Sequence, residues 1–202
     1  MELHIDQWPK KKLAIIEATI TLLAEVGFDK TTTARIAKSA GVGEGTIYRY
    51  FKNKNDLIGT TALYTASLLF GPARQNFDPE ASVHAQFIQF CRDFLSTGLD
   101  LPLHHTFMEQ YLNSPIGIEY RKKTLEEIVV NPHSKPLFYP MNWILSRGKE
   151  QQIVKDFPLQ ILVALAMGPI MFSLKHAGQG FVELNDELIT GIAASCWDGI
   201  SR

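Results

Sequence analysis

Cysteine is scarce in this 202-residue sequence, which contains only Cys91 and Cys196. The two lie far apart in the chain and form no CxxC pair, so the sequence predicts neither a disulfide framework nor a structural zinc site. Free thiols are typical of a reducing compartment, and we therefore expect the protein to be cytoplasmic.

Long apolar runs are also missing. Residues 1–9 contain Glu2 and Asp6 and lack the apolar core of a secretory signal, so this segment does not indicate export. The most apolar stretch, from Leu159 to Leu174, is interrupted by polar residues, glycine and proline. It is also shorter than the roughly 20 residues that cross a membrane. We expect it to form a buried helix, and we expect no membrane partner.

Alternating apolar and polar residues, which are typical of β-strands, are almost absent, whereas apolar residues recur at spacings of three and four. This spacing is that of a helix with one buried face, so we predict an all-α fold. Prolines and glycines stand at the expected helix ends. In the C-terminal part we predict helices over Pro79 to Gly98, Pro102 to Asn113, Ile116 to Val130, Pro136 to Gln152, Pro158 to Gln179 and Asn185 to Ile200.

The formal net charge of -1 is unevenly distributed along the chain. Residues 1–54 contain nine lysines and arginines against six aspartates and glutamates, a charge of +3, and the remainder carries -4. A basic segment in an otherwise acidic chain indicates a part that binds nucleic acid. The charge distribution therefore indicates residues 1–54 as the candidate nucleic-acid-binding part.

Short helices follow one another in this basic segment. The first has an apolar stripe and ends at Gly27, because glycine adopts the left-handed conformation that closes helices. The second spans about Thr33 to Ala40 and the third about Glu44 to Tyr50, with a turn at Gly41-Val42-Gly43 between them. Asn53 is the expected cap of a fourth helix. The residues predicted to face the core are Leu13, Ile16, Ile20, Leu23, Ile36, Ala37, Ala40, Ile47 and Phe51.

Two short helices joined by a glycine-containing turn are the arrangement that reads the major groove of DNA, because the first helix braces while the second inserts. Glycines at positions 43 and 45 suit a close approach of the backbone to the groove. Arg49 has the donors to bind guanine O6 and N7 together. The outward positions of the third helix are Glu44, Gly45, Thr46, Tyr48 and Arg49.

The sequence from Thr32 to Leu57, TTARIAKSAGVGEGTIYRYFKNKNDL, resembles the signature of the TetR family of bacterial repressors. The resemblance implies a three-helix helix-turn-helix head, residues 1–54, and a larger helical ligand-sensing and dimerisation domain, residues 55–202. It also implies a homodimer paired through the last two helices, which agrees with the apolar character of Leu159 to Leu174 on nearly every side. The small residues that would let these helices approach closely are Ala164, Gly168, Gly191, Ala193 and Ala194.

The resemblance also assigns DNA contacts to individual residues. Physically, hydroxyl and ammonium groups such as those of Thr33 and Lys54 suit phosphate contacts that fix the register on the duplex. The positions at which the family contacts DNA are Thr46, Tyr48, Arg49 and Tyr50 on the third helix, Lys54 on the fourth, and Thr33 and Arg35 on the second.

Glu44 departs from the small polar or basic residues that are frequent at its position in the family. Its charge repels phosphate. It either accepts a hydrogen bond from a cytosine amine or faces away from the DNA, and both alternatives stay open at this point.

Large apolar and aromatic side chains are frequent between Pro79 and Gln152. Such residues usually form plain core, but the resemblance implies that they line a small-molecule pocket. His104 and His105 cannot both face one metal ion from a helix, although His104 with Met108 or His105 with Glu109 stays open as a pair. We predict no metal site. The candidate ligand-binding residues are His104, His105, Phe107, Met108, Tyr111 and Trp143.

No pattern in the sequence indicates an enzyme or a cofactor. The glycines from Gly41 to Gly45 lack the preceding strand and the spacing of a dinucleotide loop, and Cys196 has no nearby group that would activate it. The resemblance to the TetR family implies instead a repressor that binds a palindromic operator in double-stranded DNA and is released by a small apolar or amphipathic effector, and we predict this function. The alternative is a DNA-binding or adaptor protein without a small-molecule effector.

Overall fold

The fold is described from a computed structural model, which describes residues 5–130 and 139–202. These residues form α-helices, a 3-10 helix at Ile5–Gln7 and one isolated bridge between Val154 and Ser201. The predicted all-α fold is confirmed. The helices are α1 (Lys10–Lys30), α2 (Thr33–Ser39), α3 (Glu44–Tyr50), α4 (Lys54–Leu69), α5 (Gly71–Gln75), α6 (Val83–Asp100), α7 (Pro102–Asn113), α8 (Pro115–Val130), α9 (Tyr139–Glu150), α10 (Leu159–Gly178) and α11 (Asp186–Ile200).

Packing divides the chain into two compact units. The first comprises Met1–Ser67 and Leu103–Pro136 and contains α1 to α3, most of α4, α7 and α8. The second comprises Leu68–Pro102 and Leu137–Arg202 and contains α5, α6 and α9 to α11. This division reflects which parts of the chain pack together. It does not test the predicted boundary between the DNA-binding domain and the sensing domain after residue 54, which stays a prediction.

The first three helices bury the apolar faces that the sequence predicts. Gly27 has a φ of 76°, and this non-helical conformation interrupts α1. The sequence predicts the end of the first helix at the same residue. Gly41 has a φ of 65° and forms the predicted turn between α2 and α3. Leu13 and Ala40 are only half-buried. The predicted core residues that are fully enclosed are Ile16, Ile20, Leu23, Ile36, Ala37, Ile47 and Phe51.

Side-chain caps fix the start of α2 and of α4. The Thr32 hydroxyl accepts a hydrogen bond from the Arg35 N–H at 3.2 Å, and the Asn53 side chain accepts one from the Asp56 N–H at 2.9 Å. The Asp56 carboxylate in turn accepts from the Lys52 N–H at 2.8 Å. Asn53 is thus the cap of α4 that the sequence predicts.

The helices of the second unit begin close to the predicted positions, with one larger difference. The helix predicted from Pro79 begins at Val83, because the hydroxyl of Ser82 caps it by accepting from the Ala85 N–H at 3.2 Å. The start of the helix predicted from Pro136 lies outside the described residues. Cys91 and Cys196 are both free and buried, and burial raises the pKa of Cys196 to about 11.

Helix α10, Leu159–Gly178, lies within the predicted range of Pro158 to Gln179. With 20 residues it is long and apolar enough to cross a membrane, a test that the core helix of a soluble protein also passes. The apolar stretch from Leu159 to Leu174 is by itself shorter than such a span. One face packs against α6, α9 and α11, as in a core helix. The residues buried on that face are Leu162, Ala166, Ile170 and Leu174.

The opposite face of α10 is exposed and apolar, as the sequence indicated for a helix with a second apolar surface. An α-helix turns by about 100° per residue, which places Ile161, Leu165 and Phe172 in one stripe, and all three are exposed. Among the predicted close-approach residues, Ala193 is buried inside its own chain. The others, Ala164, Gly168, Gly191 and Ala194, are exposed.

Candidate DNA-binding site

Helix α3 presents an exposed polar face opposite a buried apolar one. Ile47 is fully buried, whereas Tyr48 is 54% exposed and Arg49 is exposed beside it. Glu44 and Gly45 are exposed at the start of the helix. Thr46 and Tyr50 are half-buried, and the Tyr50 ring packs edge-on against Phe51. The outward positions inferred from helical periodicity are therefore accessible.

The turn before α3 is built from backbone hydrogen bonds and glycine. The Val42 N–H donates to the Ala37 carbonyl at 3.0 Å, and the Thr46 N–H donates to the Gly43 carbonyl at 2.8 Å. A side chain at Gly41, Gly43 or Gly45 would meet no atom within 4 Å. The surface around the N-terminus of α3 is thus open, as entry into a groove requires.

Thr33, Glu44 and Tyr48 form a polar cluster on this surface. The Thr33 hydroxyl donates to Glu44 Oε1 at 2.6 Å and lies 3.4 Å from the Tyr48 hydroxyl. Thr33 is the first residue of α2 and Glu44 the first residue of α3. Helical periodicity does not predict this contact, because it does not report side chains that meet from different helices.

Two of the predicted phosphate-binding side chains are engaged with the backbone near the end of α1. Arg35 Nη1 donates to the Lys30 carbonyl at 2.6 Å, and Lys54 Nζ donates to the Phe28 carbonyl at 3.3 Å. The guanidinium of Arg49, by contrast, has no partner in the described part of the chain. Arg49 is thus available to a base edge without breaking an existing bond.

A polar network lies inside the first unit and involves one predicted ligand residue. The Tyr64 hydroxyl donates to Glu17 Oε1 at 2.7 Å, and His104 Nε2 lies 3.5 Å from Glu17 Oε2. The contact with His104 lowers the pKa of the Glu17 carboxyl, assisted by the Tyr64 hydrogen bond. Burial, together with Glu17, raises the pKa of Tyr64. His104 therefore faces an acidic side chain of α1.

The other predicted ligand residues fall in both units. His105, Phe107, Met108 and Tyr111 are buried on α7, where burial and Tyr120 raise the pKa of Tyr111 to about 12. Trp143 lies on α9 in the second unit and packs edge-on against Phe77, with ring centroids 5.0 Å apart. Within the described residues, no three His, Cys, Asp or Glu side chains are placed to hold a metal ion.

The second unit has a cleft of about 520 Å³ that the sequence analysis did not predict. Its walls come from α5, from the start of α6 and from the segment between them. The volume is within the range of small-molecule sites. Its larger side chains are Asn76, Phe77, Asp78, Gln86, Gln89 and Phe90.

Two family models match separate parts of this chain. Residues 15–60 match the model described as bacterial regulatory proteins of the tetR family. Residues 83–201 match the tetracyclin repressor-like C-terminal domain. Together the matches cover both the helix-turn-helix segment and most of the remaining chain.

Individual relatives agree with these matches. The fatty acid metabolism regulator protein of Bacillus subtilis (strain 168) is 48% identical over 48 residues, which are 24% of this chain and 25% of that protein. The uncharacterized HTH-type transcriptional regulator YdeS of the same organism is 24% identical over 196 residues, covering 93% of this chain and 88% of that protein.

A solved structure shares the fold over nearly the whole length. The crystal structure of a TetR family transcription regulator from Marinobacter aquaeolei VT8 superposes with a TM-score of 0.78 at 24% identity, covering 95% of this chain and 96% of that one. Taken with the exposed face of α3 and the two family matches, this identifies the chain as a member of the TetR family of DNA-binding transcriptional regulators.

Proposed function

We propose that this regulator is a cytoplasmic homodimeric repressor without catalytic activity, which leaves a palindromic operator when a small apolar or amphipathic effector binds. The observation that carries the proposal is the accessibility of Arg49, whose guanidinium has no partner in the described chain, on a helix anchored by the buried Ile47. A free guanidinium at the outer face of a short second helix suits bidentate reading of guanine.

Each half-site receives one α3 helix. Thr46, Tyr48, Arg49 and Tyr50 reach the groove, while Arg35, Lys54 and the backbone N–H of Thr33 at the start of α2 contact phosphates and set the register. Because Arg35 and Lys54 now bind carbonyls near the end of α1, docking exchanges those bonds for stronger bonds to charged phosphate oxygens. The half-sites lie about 34 Å apart, one turn of DNA.

The dimer forms through α10 and α11. Its support is the exposed apolar stripe of Ile161, Leu165 and Phe172 on α10, together with Leu188 on α11. Contiguous apolar surface of this kind marks an interaction site. Exposed glycine and alanine on both helices permit the close helix approach that a four-helix interface needs.

The effector binds in the sensing domain, which we place in residues 55–202, and changes the orientation of α4. The buried aromatic and apolar side chains of α7 in the first unit remain candidates for the pocket, and Trp143 in the second unit remains a separate candidate residue. The cleft at the start of α6 is a second place for it, because it combines two phenylalanines with polar side chains. Thermodynamic linkage then requires operator DNA to weaken effector binding by the same factor.

Selection from a randomised DNA library at near-physiological salt tests the DNA part. We expect wild-type protein to recover a palindrome and Arg49→Ala to lose it. A library with no enriched sequence would contradict the proposal.

The effector part is tested separately with the recovered operator. Medium- and long-chain fatty acids are suitable first amphipathic probes, since a relative over 48 residues of this chain is named as a fatty acid metabolism regulator. The proposal is supported if one probe lowers the affinity of the protein for the operator and the operator lowers the affinity for that probe by the same factor. A regulator without an effector is the competing function, and the burial of the α7 side chains favours it. Operator affinity that stays unchanged when a probe binds tightly would support this competing function.

A further inference from the structure

Glu44 is held in a defined position at the entrance of the recognition helix. It is the first residue of α3, and its Oε1 accepts a 2.6 Å hydrogen bond from the Thr33 hydroxyl. One carboxylate oxygen is thus engaged inside the protein. The exposed carboxylate retains lone pairs for a donor outside the protein.

Packing does not require an acidic side chain at this position. Glu44 is exposed and stands between Gly43 and Gly45, at neither of which a side chain would meet an atom within 4 Å. Gly43 is the N-cap of α3 and provides no side-chain bond. A carboxylate in the first turn does stabilise a helix through its dipole, and an experiment has to separate that role from recognition.

The chemistry of a carboxylate restricts what it is able to read. It only accepts hydrogen bonds, so phosphates, guanine O6 and N7 and thymine O4 repel it. Adenine offers an amine but places the N7 acceptor beside it, whereas cytosine offers its N4 amine without an adjacent acceptor. Of the four base edges in the major groove, cytosine therefore fits best.

We infer that Glu44 is a specificity-determining residue that selects cytosine at one position of each half-site, with Thr33 as the residue that positions its carboxylate. The inference rests on the proposed operator binding. It favours the first of the two alternatives that the sequence left open for Glu44. Thr33 contributes by fixing one oxygen, so that the side chain enters the groove in one orientation rather than several.

Parallel library selections test the inference with full-length wild type, Glu44→Ala, Glu44→Gln and Glu25→Gln. Glu25 is an exposed acid on α1, and its variant controls for the loss of one negative charge. We expect one symmetric pair of cytosines in the wild-type motif to become unselective in Glu44→Ala. In Glu44→Gln the preference should move to adenine, because glutamine pairs with adenine N6 and N7.

Titrations of operators that differ only at this base pair give the size of the effect. We expect the wild-type preference for cytosine, about 5- to 150-fold, to disappear in Glu44→Ala and to remain in Glu25→Gln. Circular dichroism confirms that each variant is folded.

The inference would be overturned if all four proteins selected an identical motif and the two Glu44 variants only bound every DNA sequence more tightly. The proposed function would remain intact in that case. A wild-type protein that selects no motif would contradict the proposed function itself, and the inference with it. The two failures are therefore distinguishable.

Discussion

The hydroxyl of Tyr64 donates a 2.7 Å hydrogen bond to the carboxylate of Glu17, which joins α4 to α1. The second oxygen of the same carboxylate lies 3.5 Å from His104 at the start of α7. One acidic side chain thus receives contacts from two other helices of its unit. Helix α1, which carries this carboxylate, also packs against α2 and α3.

Tyr64→Phe should destabilise the protein. The substitution removes the donor to a partly buried carboxylate while keeping the ring, and such a bond contributes about 1–2 kcal/mol. Urea unfolding measures the loss. Tyr50→Phe is the matched control, since the Tyr50 hydroxyl has no partner in the described chain; equal losses for both variants would show that the Glu17 bond contributes nothing.

The stabilisation provided by Glu17 should decrease in acid. The pKa of this carboxyl is lowered in the folded protein from an ordinary value of 4.5, so its contribution is fully present above that value and is lost as the pH falls through the folded pKa. The difference in unfolding free energy between wild type and Glu17→Gln should shrink as the pH falls below 4.5. Glu25→Gln controls for charge. A difference that grows in acid would contradict the assigned shift.

Substitution by alanine at two glycines of the turn before α3 should change the unfolding free energy by different amounts. Gly41 has a φ of 65°, where a side chain costs about 1–2 kcal/mol. Gly43 has a φ of -71°, which any residue adopts, and both positions have open space for a side chain. Gly41→Ala should therefore lower the unfolding free energy by more than Gly43→Ala, whose cost is only the poorer N-cap preference of alanine. Thermal and urea unfolding of the two variants measure the difference. Equal losses of unfolding free energy would contradict an effect of backbone conformation at Gly41.

Phe172→Asp should convert the proposed dimer to a monomer. Phe172 is 59% exposed on the apolar stripe of α10, and a charge buried there on association is strongly unfavourable. Size-exclusion chromatography with light scattering measures the mass, and circular dichroism checks the helices. Ile118→Asp, at an exposed position on α8, is the control and should remain dimeric. A dimeric Phe172→Asp protein would place the interface elsewhere.

Much of the head was predictable because local rules govern it. The spacing of Ile36 and Ile47 fixes which faces of α2 and α3 are buried, and the conformational preference of Gly41 fixes the turn between them. Asn53 caps α4 through a contact within three residues. Such features depend on neighbours in the sequence, so periodicity and residue type are sufficient to predict them.

Contacts between distant parts of the chain were not predictable in the same way. His104 is predicted to line a ligand pocket, whereas its contact with Glu17 depends on how α7 packs against α1. The bond between Thr33 and Glu44 depends on the angle between two helices. Helix α10 is apolar on most sides, and only the fold shows which face its own chain covers. The cleft beside Phe77 and Gln86 likewise arises from the path of the chain before α6.

The most direct test of this account compares the affinity of the protein for two DNA duplexes. Fluorescence anisotropy measures binding to the operator recovered by selection and to a shuffled duplex of the same composition, at near-physiological salt. We predict that the operator binds at least about 10³-fold more tightly and that Arg49→Ala abolishes the difference. Equal affinities for the two duplexes, falling together as salt is raised, would contradict sequence-specific recognition and leave only charge-driven binding.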